Sequence, residues 1–147
     1  MADIQEIQQE IIKEFSALSD WTERYKHIIK LGQQLEPLEE SYKVDENLVR
    51  GCQSQVWLHC KYEDGKIFFG ADSDAAITKG LVALMVRFYS DQTPDTVIAT
   101  EPVFIKKIGM EAHLSPTRSN GLASMVKQMK IYAMAYKAKY QHEKSQS

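Results

Sequence analysis

Cysteine, proline and glycine are all scarce in this chain, at two, four and seven of 147 residues. Two cysteines cannot build a disulfide framework, and no C-x-x-C pair is present for dithiol redox chemistry. Along an extended strand Cys52 and Cys60 would lie roughly 25 Å apart, far beyond the ~7 Å Cα limit for a bridge. The four histidines, at positions 27, 59, 113 and 142, are never i, i+4 neighbours. With so few thiols, neither a structural zinc site nor a cluster cage of about four convergent ligands is expected. Gly65, Gly70 and Gly80 show neither G-x-G-x-x-G nor Walker spacing, so no phosphate loop is read. The longest apolar run, Leu81 to Val86, stops at Arg87, well short of the ~20 residues a bilayer span requires. A net charge of −2 gives no reason to expect nucleic acid or an anionic membrane as partner. The acidic start, Met1-Ala2-Asp3-Ile4-Gln5-Glu6, lacks the basic and apolar regions of a signal peptide and the arginines of a transit peptide. A cytoplasmic protein is expected.

What is present is an ordinary globular composition, 44% hydrophobic and 26% charged. It suits one domain over 1–147 with a real core and a polar, frayed tail at 141–147. Ile4, Ile7, Ile11, Ile12, Phe15 and Leu18 recur at helical spacing. Asp20 then reads as an N-cap with Glu23 completing a capping box, opening a second helix that ends before Pro37. Trp21 and Tyr25 on that helix are read as core packing rather than a ligand cage. The acidic stretch 36–47 is read as solvated surface, with docking of a basic partner as the functional alternative. From Gln55 the pattern alternates, with Val56, Leu58, Cys60 and Tyr62 on one face and Trp57, His59 and Lys61 on the other. Glu63-Asp64-Gly65-Lys66 is a turn, and Ile67-Phe68-Phe69 returns as a second strand. Asp72, Ser73 and Asp74 are expected to cap a helix running to about Tyr89, in which Gly80 marks the close approach of another backbone. Short helices should open at Thr93-Pro94 and at Pro102. A loop over 113–118 should lead to Ser119 or Asn120 as cap of a last helix striped by Leu122, Met125, Met129, Tyr132 and Tyr136. Segregated strands and helices make the fold class α+β, with a small antiparallel sheet built on a hairpin and helices packed against it.

One stretch carries the candidate chemistry: Val49-Arg50-Gly51-Cys52-Gln53-Ser54-Gln55. Gly51 permits a sharp bend, and Cys52 lies in a polar loop braced by the strand that follows. Two readings stand at this point. Cys52 is a small buried hydrophobe, or it is a presented, reactive thiol. Cys60, on the apolar face of the strand, reads as an inert core thiol. A cysteine-dependent hydrolase would need His59 or His113 as its base.

Three blocks carry a resemblance to a known family. Gly51-Cys52-Gln53-Ser54-Gln55-Val56-Trp57, Asp72-Ser73-Asp74-Ala75-Ala76-Ile77-Thr78-Lys79-Gly80-Leu81 and His113-Leu114-Ser115-Pro116-Thr117-Arg118-Ser119-Asn120-Gly121-Leu122 together resemble the SufE family of sulfur-acceptor proteins. The likeness extends from about residue 10 to about residue 135. Ala71 stands where relatives often have glycine, and a polar tail follows Tyr140. The resemblance implies a fold shared with IscU-type cluster scaffolds and a persulfide carrier in iron–sulfur cluster assembly. Cys52 would accept sulfur from a PLP-dependent, SufS-like cysteine desulfurase, stimulating it, and pass the sulfur to a SufB-like scaffold. PLP would belong to the desulfurase, and this chain would carry no cofactor or metal and would not be an enzyme by itself. Arg118 is carried over as a residue that contacts the partner or steadies an anion. Gly51, Gln55, Asp72 and His113 are carried over as contacts or supports.

Overall fold

Two amphipathic helices open the chain in the computed structural model, which describes residues 3–146, with side chains as far as residue 140. In α1 (Ile4–Ser16) the Asp3 carboxylate accepts from the Gln5 N–H at 2.8 Å, and Ile4, Ile11 and Phe15 turn inward. α2 (Trp21–Gln33) starts on the expected cap, where Asp20 accepts from the Glu23 N–H at 2.9 Å. The acidic stretch that follows contains two short 3₁₀ turns, Glu40–Tyr42 and Asp45–Asn47. It is not wholly free in solvent: Leu38 is buried, and Lys43 pairs with Glu40 at 3.0 Å and with Asp72 at 2.9 Å.

The hairpin pairs β1 (Val56–Glu63) with β2 (Lys66–Ser73), from Val56 opposite Ser73 to Glu63 opposite Lys66. Asp64 and Gly65, at φ 52° and 82°, form the turn, left-handed at both positions as a type I′ connection demands. Val56, Leu58 and Cys60 share the buried face with Ile67, Phe69 and Ala71. The opposite face holds His59, on which the Tyr42 ring stacks at 3.8 Å. Both edges of the sheet are occupied. Along β2, Ile67 N–H donates to the Gln92 carbonyl at 2.9 Å and Phe69 N–H to Ser90 Oγ at 2.8 Å.

α3 (Ala76–Tyr89) is the central helix, burying Leu81, Val82, Leu84, Met85, Phe88 and Tyr89. Its start corrects the sequence reading. Asp72 and Ser73 end β2, opposite Trp57 and Val56, and the N-cap position is Ala75, with no side-chain cap bond. The strand claims these residues because ladder pairing satisfies their backbone groups, and each side chain is engaged elsewhere. Asp72 Oδ1 accepts from the Ser73 N–H at 2.8 Å, Ser73 Oγ from the Ala75 N–H at 3.3 Å, and Asp74 Oδ1 from the Gln55 N–H at 3.0 Å. The reading of Gly80 holds: a Cβ there would stand 2.1 Å from the Ile28 carbonyl oxygen, and one on Gly32 would stand 2.8 Å from Gly80 N. α2 and α3 therefore cross backbone to backbone.

α4 (Pro94–Ala99) is capped by Thr93, whose Oγ1 accepts from the Thr96 N–H at 3.2 Å. α5 (Phe104–Lys107) and α6 (Met110–His113) are joined through Gly109 at φ 76°. α7 (Pro116–Gln146) begins earlier than Ser119 or Asn120. Ser115 Oγ accepts from the Arg118 N–H at 3.2 Å, and Pro116 takes the first helical position, where its missing N–H costs nothing. Leu122, Met125, Met129 and Ala133 are buried. Tyr132 donates to the Leu58 carbonyl at 3.3 Å and Tyr136 to the Cys60 carbonyl at 3.0 Å, closing the outer edge of β1. Of the tail at 141–147, the backbone of 141–146 continues α7, while Ser147 lies outside the described residues. Among the described residues, no helix is long and apolar enough to cross a membrane.

The helix crossing is testable at Gly80. Alanine is favoured over glycine in a helix interior by about 1 kcal/mol, yet the added methyl must push α2 away. Gly80→Ala should lose about 2 kcal/mol or more by urea unfolding. An unchanged or higher midpoint would mean that the crossing tolerates a side chain.

Candidate functional site

The cysteine loop is tied at both ends. Before it, Val49 N–H donates to the Val56 carbonyl at 2.8 Å, and Leu48 bridges Trp57. After it, Gln55 is held through its backbone: its N–H donates to Asp74 Oδ1, and its carbonyl accepts from the Asp74 N–H at 3.3 Å. Between these ties Gly51 turns at φ 93°, where a Cβ would lie 2.6 Å from Ser124 Oγ. The backbone angle favours glycine, and a side chain there would also have to turn Ser124 Oγ aside. Cys52 then lies against α7. Its S–H donates to the Gly121 carbonyl with Sγ···O 3.5 Å, and a Cβ on Gly121 would stand 3.3 Å from Sγ.

Beside the sulfur is a cavity of about 70 Å³ whose wall includes Thr78 and Leu81 of α3 and Arg118, Leu122 and Met125 of α7. The leucines and Met125 make it apolar in part, while Gln53, Ser54 and Thr117 add polar groups. Cys52 is half-buried there, and burial pushes its thiol above the ordinary value. Cys60 is only 4% exposed, and burial carries its thiol up to about 12. Both cysteines are free. A half-buried thiol at a cavity can be uncovered by a small loop movement; Cys60, under the sheet, cannot.

Of the residues singled out in the sequence, Cys52 and Arg118 meet at this cavity, with Gly51 directly beneath α7. Asp72 does not line this cavity; it lies at the end of β2, paired with Lys43 and Lys79. Burial would raise its carboxyl, but hydrogen bonds from Lys43, the Ser73 N–H and Lys79 outweigh that and hold it below its usual value. His113 is placed elsewhere. It ends α6 rather than opening a loop, its ring stacks on Trp21 at 3.9 Å, and its carbonyl accepts from the Tyr25 hydroxyl at 2.6 Å. Trp21 and Tyr25 are thus half-buried packing partners of the α6 end. His59 stays on Tyr42, with its pKa lowered by burial. Neither histidine lines the Cys52 cavity, so the geometry does not assemble a cysteine–histidine pair. Among the described residues, no three of His, Cys, Asp and Glu converge as metal ligands.

Sequence reasoning missed Thr78, Ser124, Met125 and the clamp by Asp74. Gly121 carried a usable signal: a glycine within an apolar-striped helix marks the close approach of another group, here Cys52 itself.

A family model described as SufE, the Fe–S metabolism associated domain, matches residues 9–133. In fold the chain is similar to a solution structure of a hypothetical protein from Thermus thermophilus. The TM-score is 0.73 at 18% identity, over 88% of this chain and 94% of that one.

The seat of the thiol predicts its reactivity. Alkylation of Cys52 by iodoacetamide should titrate at higher pH in the native protein than in urea, because burial disfavours the thiolate. Gly121→Ala, whose methyl would press on Sγ at 3.3 Å and add apolar surface beside it, should leave the native midpoint at or above its value in the natural chain. A native midpoint at or below the denatured value would contradict the described seat.

Proposed function

The chain belongs to the SufE family, whose domain is associated with Fe–S metabolism, and from that premise we propose that it is a sulfur-acceptor protein working through Cys52. The Cys52 thiolate attacks the outer sulfur of a persulfide carried on a donor's cysteine. A new S–S bond forms at Cys52 as the donor's S–S bond breaks, and the donor's cysteine leaves as a thiolate. The exchange is redox-neutral and calls for no external reductant. The donor is a PLP-dependent, SufS-like cysteine desulfurase, stimulated because its persulfide is drained, and PLP is the donor's cofactor. A SufB-like scaffold for cluster assembly then attacks the persulfide on Cys52 by the same chemistry. This chain contributes no cofactor and acts as carrier and activator. A reducing cytoplasm is the compartment that suits two free cysteines.

The observation that carries the reading is the placement of Cys52 at a cavity of about 70 Å³, room for a further sulfur atom beside Sγ. Reactivity needs the thiolate, a few per cent of an ordinary thiol at neutral pH, and burial reduces that fraction further. Docking of the donor therefore lifts the loop from α7, with Gly51 as the pivot. Arg118, exposed at the cavity, is placed to contact the donor or steady the thiolate as it forms. Asp72 and the Gln55–Asp74 clamp keep the base of the loop fixed while its tip moves, and His113 supports the approach to α7 through its packing on Trp21.

The test uses a cysteine desulfurase with cysteine as substrate. Mass spectrometry should find an adduct of about 32 Da, one sulfur, on Cys52 and none on Cys60. Cys52→Ser should unfold like the natural chain yet lose stimulation of the desulfurase, whereas Cys60→Ala should keep it. Equal loss in the two variants, or an adduct confined to Cys60, would overturn the assignment.

A further inference from the structure

Three of the large apolar side chains most exposed among the described residues, Val103 at 47%, Ile131 at 41% and Met134 at 49%, line a single groove. One wall is α7 from Ser119 to Met134, about 22 Å of helix at 1.5 Å per residue. Pro102, Ile105 and Leu114 form the other wall, and the groove encloses about 660 Å³. α7 faces the core with Leu122, Met125, Met129 and Ala133. Ala123, Val126 and Met134 add a second apolar row on the groove side, so the helix is apolar over a wider arc than the core uses.

The charges on the rim are uneven. Lys130 pairs with Glu101, which leaves Lys106 and Lys127 against Glu111 along the groove; Lys127 also borders a neighbouring cavity with Glu46 and Arg50, and Lys107 is exposed on the same short helix as Lys106. In a chain whose net charge is −2, this face is locally positive. We propose that the groove docks an amphipathic helix of a partner protein, apolar along the side it inserts and flanked by carboxylates that meet Lys106 and Lys127. Its length accommodates about four helical turns, and recognition by apolar anchors at i, i+3/i+4 spacing with matching charge at the rim is the usual mode for such a groove. A second copy of this chain is the poorer occupant, because a two-fold contact would set the same lysines on both sides. Leu122 lines both this groove and the Cys52 cavity, so a helix seated here lies close to the thiol.

The surface is independent of the sulfur-transfer reading, and Cys52→Ser should leave it unchanged. The probe is a stapled, labelled helical peptide of about 16 residues with leucines at i, i+3/i+4 spacing and glutamates flanking them, compared with one in which lysines replace the glutamates. Fluorescence anisotropy should show binding of the glutamate peptide only. Ile131→Glu with Met134→Glu, both at exposed positions, should weaken it by at least about tenfold through charge in the apolar seat. Lys127→Glu should weaken it less. Equal binding of the two peptides, binding unaffected by the double variant, or no binding to the natural chain would overturn the proposal. So would a concentration-dependent dimer that the double variant abolishes, since the occupant would then be a second copy.

Discussion

Two absent side chains set the geometry of the site. Gly51 lets the loop turn against α7 at Ser124, and Gly121 leaves the space that Cys52 Sγ occupies. A methyl group at Gly51 would meet Ser124 Oγ at 2.6 Å, and one at Gly121 would press on Cys52 Sγ at 3.3 Å, so both positions favour a residue without a side chain. The rest of the fold holds the loop and α7 in register: the hairpin anchors the loop, α3 supplies the back of the cavity, and the buried row of α7 keeps that helix down.

The electrostatics follow from the same packing. Burial pushes the Cys52 thiol above its ordinary value, and its S–H donates to the Gly121 carbonyl, an oxygen that would offer a thiolate no donor. Asp72, at the end of β2, is held by Lys43 and Lys79, while Arg118 stands exposed at the cavity beside Cys52. The Asp74 carboxylate is spent on the Gln55 N–H. The Gln55–Asp74 pair fixes the base of the loop, while Gly51 and Gln53 at its tip are exposed.

The parts of this arrangement governed by local chemistry were legible in the sequence. The Asp64-Gly65 turn, the Asp20 cap, the alternation that sends Cys60 inward and the glycine at the α2–α3 crossing all depend on neighbours a few residues away, or on a residue type with one use. Tertiary competition hid the rest. Asp72-Ser73 has the composition of a helix cap, but pairing with Val56 and Trp57 drew it into β2. The Ser115-Pro116 pair starts α7 ahead of Ser119 and Asn120, with Ser115 Oγ as the cap and Pro116 at the first helical position. His113 lies in a block shared with Arg118, yet α6 turns it onto Trp21 while Arg118 goes to the cavity. Adjacency in a motif does not show which way each side chain points. The depth of Cys52 depends on residues from α7 far along the chain, and no local pattern carries it.

A sheet of two strands exposes two edges, and an open edge is a template on which another chain can add a strand or begin to aggregate. Here Tyr132 and Tyr136 cover the outer carbonyls of β1, while Gln92 and Ser90 occupy β2. An added strand along β1 would have to displace the Tyr132 and Tyr136 hydroxyls of α7, and one along β2 the segment from Ser90 to Gln92.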